Sequence, residues 1–158
     1  MSPPPDAGAD APIRVDTVLV PVDGSDDSAR AVEYAAAIAD RYDADLHAVY
    51  VHDEEVVRAI ETDALDESAV AEDARTFVEE VGQPARERNV HLTSSMAYGY
   101  STRQKSRHPG SVVLDTAEEV DADFLVIPRE GARGEPGGTL ERAAEYVLLY
   151  ASQPVLSV

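Results

Sequence analysis

Val18-Leu19-Val20-Pro21-Val22-Asp23-Gly24-Ser25-Asp26-Asp27-Ser28 is an apolar run that stops at a polar turn. The run has no polar alternation, which is the pattern of a central parallel strand covered on both faces. Ser25 is suited to cap a helix, and Asp26 and Asp27 fall in the first turn, where the helix dipole favours negative charge. Asp23-Gly24 therefore sits between the carboxyl end of a strand and a helix start, where doubly wound α/β folds place ligands. The same three residues, Asp23-Gly24-Ser25, also read as no more than a turn and a cap.

Working outward, the first helix is expected from about Ser25 to Tyr42, with Ala29, Val32, Ala35, Ala36 and Ala39 at helical spacing. Leu46 to Val51 reads as a second strand ending in His52-Asp53. Residues 53 to 67 are acidic and weakly periodic, a surface segment with some helix. A longer helix follows from about Ser68, and Gly82 and Pro84 predict a break, because Pro84 has no amide to bond to Glu80. Val90 to Met96 is a third strand, Val112 to Val120 a helix, and Phe124 to Ile127 a fourth, continuously apolar strand. Gly131 to Gly138 is a glycine-rich loop, Thr139 is placed to cap a last helix, and Val155 to Val158 forms a final strand.

Strands alternating with helices predict an open, mainly parallel five-stranded α/β sheet, order 3-2-1-4-5, with helices on both faces. One domain over residues 16–158 accounts for the pattern, after a Pro- and Ala-rich stretch, 1–15, read as a flexible tail. That stretch lacks the basic start and apolar core of a signal peptide, and no run approaches a membrane span.

The 158 residues include 31 Asp and Glu against 13 Lys and Arg, for a net charge of -18. Lys105 is the only lysine. Such a balance argues against nucleic acid and against anionic membranes as partners. It fits a salt-filled cytoplasm, where the Debye length shrinks to ~3 Å and self-repulsion is screened. The absence of cysteine excludes thiol catalysis and thiolate metal sites. His47, His52, His91 and His108 show no metal spacing, and no phosphate loop, dinucleotide fingerprint or nucleophile elbow is present. No catalytic residue is assigned.

Val-Pro-Val-Asp-Gly-Ser at 20–25, Leu46-His47-Ala48-Val49-Tyr50-Val51, Ala122-Asp123-Phe124-Leu125-Val126-Ile127 and Gln153-Pro154-Val155-Leu156-Ser157-Val158 together resemble the universal stress protein family. From the acidic composition a halophilic archaeal member is expected, the alternative being an ordinary acidic protein of a mesophile. The resemblance implies a cytoplasmic homodimer in a stress response, with nucleotide-binding members holding ATP, accompanied by magnesium, or AMP. By position, Pro21, Val22, Asp23 and Val51 fall at the adenosine end. Gly131 and Gly134 fall in the first half of the family's phosphate pattern of Gly, two residues, Gly, nine residues, Gly, then Ser or Thr. Gly138 and Thr139 follow Gly134 too soon for that spacing, and Pro128 stands where the family usually has glycine. An insertion also separates Gly99 from Pro109. The adenosine end is thus matched and the phosphate end altered.

Three functions remain open at this point. One is a regulatory or sensing domain that binds ATP or AMP through an altered phosphate site. Another is a dimeric interaction module without nucleotide, and the third a nucleotide hydrolase, for which Asp23 is the only candidate base. Homodimerisation is expected through Val155 to Val158, since pairing an apolar sheet edge with its own copy removes that edge.

Overall fold

A computed structural model of the chain describes residues 12–98, 108–129 and 139–158. The first strand, β1 (Thr17–Val22), leads through the Asp23 turn into α1 (Asp26–Tyr42). Ser25 caps α1 as expected, its side chain accepting the Ser28 amide at 3.1 Å. Then come β2 (Asp45–His52), α2 (Glu54–Glu61), α3 (Glu67–Val81) and α4 (Gln83–Glu87). The acidic segment after β2 carries a full helix because Asp53 caps it, accepting from the Val56 amide at 2.9 Å. The expected break falls at Gly82, which ends α3 and precedes Pro84 in the first turn of α4.

β3 (Leu92–Tyr98) begins two residues later than expected. The carbonyl of His91 accepts the Leu46 amide at 2.9 Å just before it. α5 (Pro109–Glu119) begins earlier than the apolar spacing suggested. His108 caps it by accepting the Gly110 amide at 3.0 Å, and proline is suited to the first helical turn. β4 (Phe124–Ile127), α6 (Thr139–Tyr150) and β5 (Val155–Ser157) complete the order. Thr139 lies inside α6 as its first residue, not ahead of it as its cap. Val158 ends beyond β5, its amide bonded to the Ile127 carbonyl at 3.0 Å.

All pairings are parallel, and the sheet order is β3-β2-β1-β4-β5. Alternation along β1 divides the interior into two layers. Val18, Val20 and Val22 pack with Ala31, Val32, Ala35 and Ala39 of α1, while Leu19 joins Leu125, Ile127, Leu140, Ala143 and Val147 on the other face. The alanines let α1 lie close to the sheet. Val15, in the stretch read as a tail, is buried on the α1 side. The start of β1 is tied to β4 by Asp123, whose Oδ2 accepts the amides of Asp16 and Thr17 at 2.8 and 3.1 Å.

Helix ends recur in one form. Asp43, Asp63, Asn89 and Asp121 have φ of 55–60°, or 54° for Asp121, in the left-handed region. The amide of the next residue reaches back five positions in each case: Ala44 to Ala39, Ala64 to Ala59, Val90 to Ala85 and Ala122 to Ala117, at 2.7–2.8 Å. These bonds are those of a Schellman motif with an Asx residue where glycine is usual.

Candidate functional site: the crevice between β1 and β4

The strand order reverses between β1 and β4, so the chains leaving their carboxyl ends cross to different parts of the molecule. The β1–β4 ladder is short, pairing only Val18 with Phe124 and Leu19 with Leu125. The Asp123 amide donates to the Thr17 carbonyl at 2.8 Å, so in a parallel ladder Thr17, Leu19 and Pro21 turn their backbone groups toward β4. Pro21 has no N–H to carry that ladder further. On the other strand, the Leu125 amide donates to Pro154 on the β5 side, which turns Val126 and Pro128 toward β1. The crevice thus opens where two prolines lack the amides that would close it. Carbonyl acceptors, not N–H donors, border it at these two positions.

The turn after β1 is tightly bonded within itself. Asp23 Oδ1 accepts the Ser25 amide at 3.0 Å and also the Ser25 hydroxyl. Ser28, fully buried, accepts the Asp23 amide at 3.3 Å and donates to the Ser25 carbonyl at 2.9 Å. Gly24 has φ +88°, and a Cβ there would lie 2.6 Å from the Tyr50 hydroxyl. Backbone conformation and lack of space both demand glycine. Tyr50 itself is wedged by Phe77 and His52, with ring centroids 5.9 and 4.8 Å away. Burial first, then the charges of Asp23, Asp53 and Asp73, push its hydroxyl pKa up, which keeps it a neutral donor.

The sequence-derived residues divide by face. Pro21, Asp23 and Val51 share the parity of Leu19 and Val49 and belong to the α5–α6 side, with Asp23 one step beyond the Val22↔Tyr50 pair. Val22 is buried on the opposite side with α1, so only its backbone can face a ligand at the crevice. Leu140, next to Thr139, packs in the same cluster as Val51 and brings the start of α6 to this side of the sheet. Gly131, Gly134 and Gly138 lie outside the described residues.

The histidines serve the framework. His47 is buried and bonded to Thr93 Oγ1 and Ser95 Oγ at 2.7 and 2.9 Å. Burial lowers the pKa of both His47 and His52, opposed by Glu119 and Asp53 respectively. His108 stacks on Tyr146 at 4.6 Å, and burial and Arg142 lower its pKa against Glu145. A neutral ring is what the cap requires, because Nδ1 must accept. The α5 cap was the residue role that spacing missed, since histidine is not among the usual capping types. Among the described residues, no group of three or more His, Asp or Glu is arranged to hold a metal ion. No helix among them is long and apolar enough to cross a membrane.

Together the sheet, its two covered faces and the strand-order reversal define a doubly wound α/β domain. The chain belongs to the universal stress protein family, whose model matches residues 14–158. It is 28% identical over 144 residues to universal stress protein MJ0531 of Methanocaldococcus jannaschii, covering 89% of this chain and 80% of that protein. Universal stress protein UspA from Lactobacillus plantarum shares the fold with TM-score 0.68 and 26% identity, covering 93% and 99% of the two chains. A universal stress protein in complex with cAMP aligns with TM-score 0.63 at 24% identity, over 92% and 98%. One from Archaeoglobus fulgidus in complex with dAMP aligns with TM-score 0.58 at 20% identity, also over 92% and 98%.

Proposed function

We propose that this universal stress protein is a regulatory domain of the cytoplasm that binds an adenine nucleotide in the β1–β4 crevice, held mainly by its nucleoside end. The observation that carries the reading is the crevice itself, open at Pro21 and Pro128 with Asp23 at its mouth. Carbonyls and a carboxylate suit the donors of a nucleoside, the exocyclic amine and the ribose hydroxyls. Phosphates need N–H donors or cations, and neither proline supplies an amide. The nucleotide complexes of two relatives support the ligand class. AMP and ATP are the ligands expected, with magnesium arriving on the triphosphate.

Equilibrium dialysis against ATP and AMP in molar KCl tests the reading. Both nucleotides are expected to bind, with dissociation constants within about tenfold of one another, since little discrimination comes from the phosphate end. Asp23→Asn keeps the shape of the turn and removes the charge, and is expected to weaken both by about tenfold, the scale of one charge-assisted hydrogen bond. Absence of binding at millimolar nucleotide sinks the proposal.

The protein is also proposed to work as a homodimer joined along β5. Val155, Leu156 and Val158 are only partly buried at that edge. Leu149 and Tyr150, at the end of the helix leading into it, are 76% and 65% exposed. A second copy would cover both the strand and these side chains.

A further inference from the structure

The sheet has a second edge, far from β5. Among the described residues β3 bonds to β2 alone, and its seven residues, Leu-Thr-Ser-Ser-Met-Ala-Tyr, contain no charge and no proline. Sheet edges are ordinarily guarded by charges, proline or bulges. In a chain of net charge -18 an uncharged edge of this length is conspicuous, and Thr93, Ser94, Ser95 and Met96 are all exposed.

The ladder fixes which backbone groups are open. Leu46 pairs with Leu92, and the Leu46 amide donates to His91. A parallel ladder then turns Thr93, Ser95 and Ala97 toward β2 and leaves the N–H and C=O groups of Leu92, Ser94, Met96 and Tyr98 pointing off the sheet. Beside the strand, under α3, lies a cavity of about 240 Å³ lined by Tyr50, Ala74, Arg75 and Val78 and by Ser94, Ser95 and Met96 of β3.

We infer that β3 pairs antiparallel with β3 of a second copy, about a two-fold axis at Ser95. Ser95 is the middle residue of the strand. An axis there sets Leu92 opposite Tyr98 and Ser94 opposite Met96, so every outward backbone group of both strands meets a partner. The same register brings Met96 of each copy beside Ser94 of the other, on the face that holds the cavity. Met96 is already 39% exposed, and its flexible thioether suits a gap walled by Ala74 and Val78. Knob and hole thus lie at one edge of the same protomer, which is what an isologous contact requires. The absence of charge on β3, with Arg75 as the charged group at the cavity, lets two acidic chains meet here with least repulsion.

Cysteine cross-linking tests the register directly, because the native chain has no thiol. A residue on the axis faces its own copy in a non-hydrogen-bonded pair with Cα atoms ~4.5 Å apart, within disulfide range. Residues two positions away are separated from their own copies by roughly 14 Å, beyond it. Under copper-phenanthroline oxidation in molar KCl, Ser95→Cys should form covalent dimer at least about tenfold faster than Ala97→Cys. Equal rates, or no dimer from Ser95→Cys, overturn the inference, whether the edge is then free or covered by another protein.

Ser95 also bonds to His47, so a variant that leaves that contact intact provides a second measurement. Met96→Lys places a charge on the edge, and sedimentation equilibrium should show the loss of a concentration-dependent association present in the native chain. A mass distribution unchanged by Met96→Lys overturns the inference as well. Neither experiment depends on nucleotide, and with the β5 pair intact the association lost in Met96→Lys is that of dimers into larger assemblies, so the two interfaces and the ligand reading are told apart.

Discussion

Gly24 concentrates the residue-scale constraints of the site. Its φ of +88° and the Tyr50 hydroxyl, 2.6 Å from where a Cβ would stand, are separate obstacles to substitution. Gly24→Ala is expected to lower unfolding stability by about 2–4 kcal/mol, the sum of a left-handed strain and an overpacking cost. Adding Tyr50→Phe removes the atom that clashes but not the strain. In a double-mutant cycle by urea denaturation, the pair should therefore be less destabilised than the sum of the singles. Additive effects would show that Tyr50 does not hold the turn. Sequence alone revealed the turn and its cap, because Asp-Gly-Ser is local chemistry. It did not reveal Tyr50, which reaches Gly24 only because β2 runs beside β1 in one register. Nor could it tell that Val22 faces α1 and Asp23 the α5–α6 side: alternation is written in the strand, but which helices cover each face is settled only by the crossovers.

At the scale of elements, runs such as Val18 to Val22 and Phe124 to Ile127 announced themselves through apolar continuity. Boundaries resting on a single side chain did not, as the His108 cap of α5 shows. The helix ends were hidden for a related reason. Glycine is the usual signal for a left-handed C-terminus, and this chain uses Asp43, Asp63, Asn89 and Asp121 instead. An aspartate there bears left-handed strain and sets a negative charge against the negative end of the helix dipole. Asp121→Gly should stabilise the protein by about 0.5–1 kcal/mol, the relieved strain and dipole repulsion exceeding the added freedom of the unfolded chain. Thermal melts in low and high KCl would separate the two contributions, because only the dipole part is screened. A destabilised Asp121→Gly would mean that the aspartate makes a compensating bond.

For the whole molecule, the dominant physical fact is the charge. The ion pairs Arg14–Asp16, Arg58–Glu54 and Arg88–Asp40 are well exposed, and such pairs contribute little. Stability instead rests on the two apolar layers, opposed by the self-repulsion of a net -18 chain. Lowering KCl from molar to tens of millimolar should lower the melting temperature by several degrees, since ~1 kcal/mol shifts a domain of this size by about 2–4 °C. Sedimentation over the same series should show the proposed β5 dimer dissociating first, because bringing two such charges together is more salt-sensitive than holding one. A melting temperature and mass indifferent to KCl would contradict both. Composition made this charge legible at once. What composition could not show is its distribution, which leaves the β3 edge bare of it.

The two prolines at the strand-order reversal have one more consequence. Parallel strands tend to zip along their length when amides are available, and a crevice between them must then be prised apart before a guest can enter. With Pro21 on one side and Pro128 on the other, this seam has lost the stitches that would draw it shut. No backbone bond across these two prolines has to be broken for the proposed nucleotide to enter between the strands.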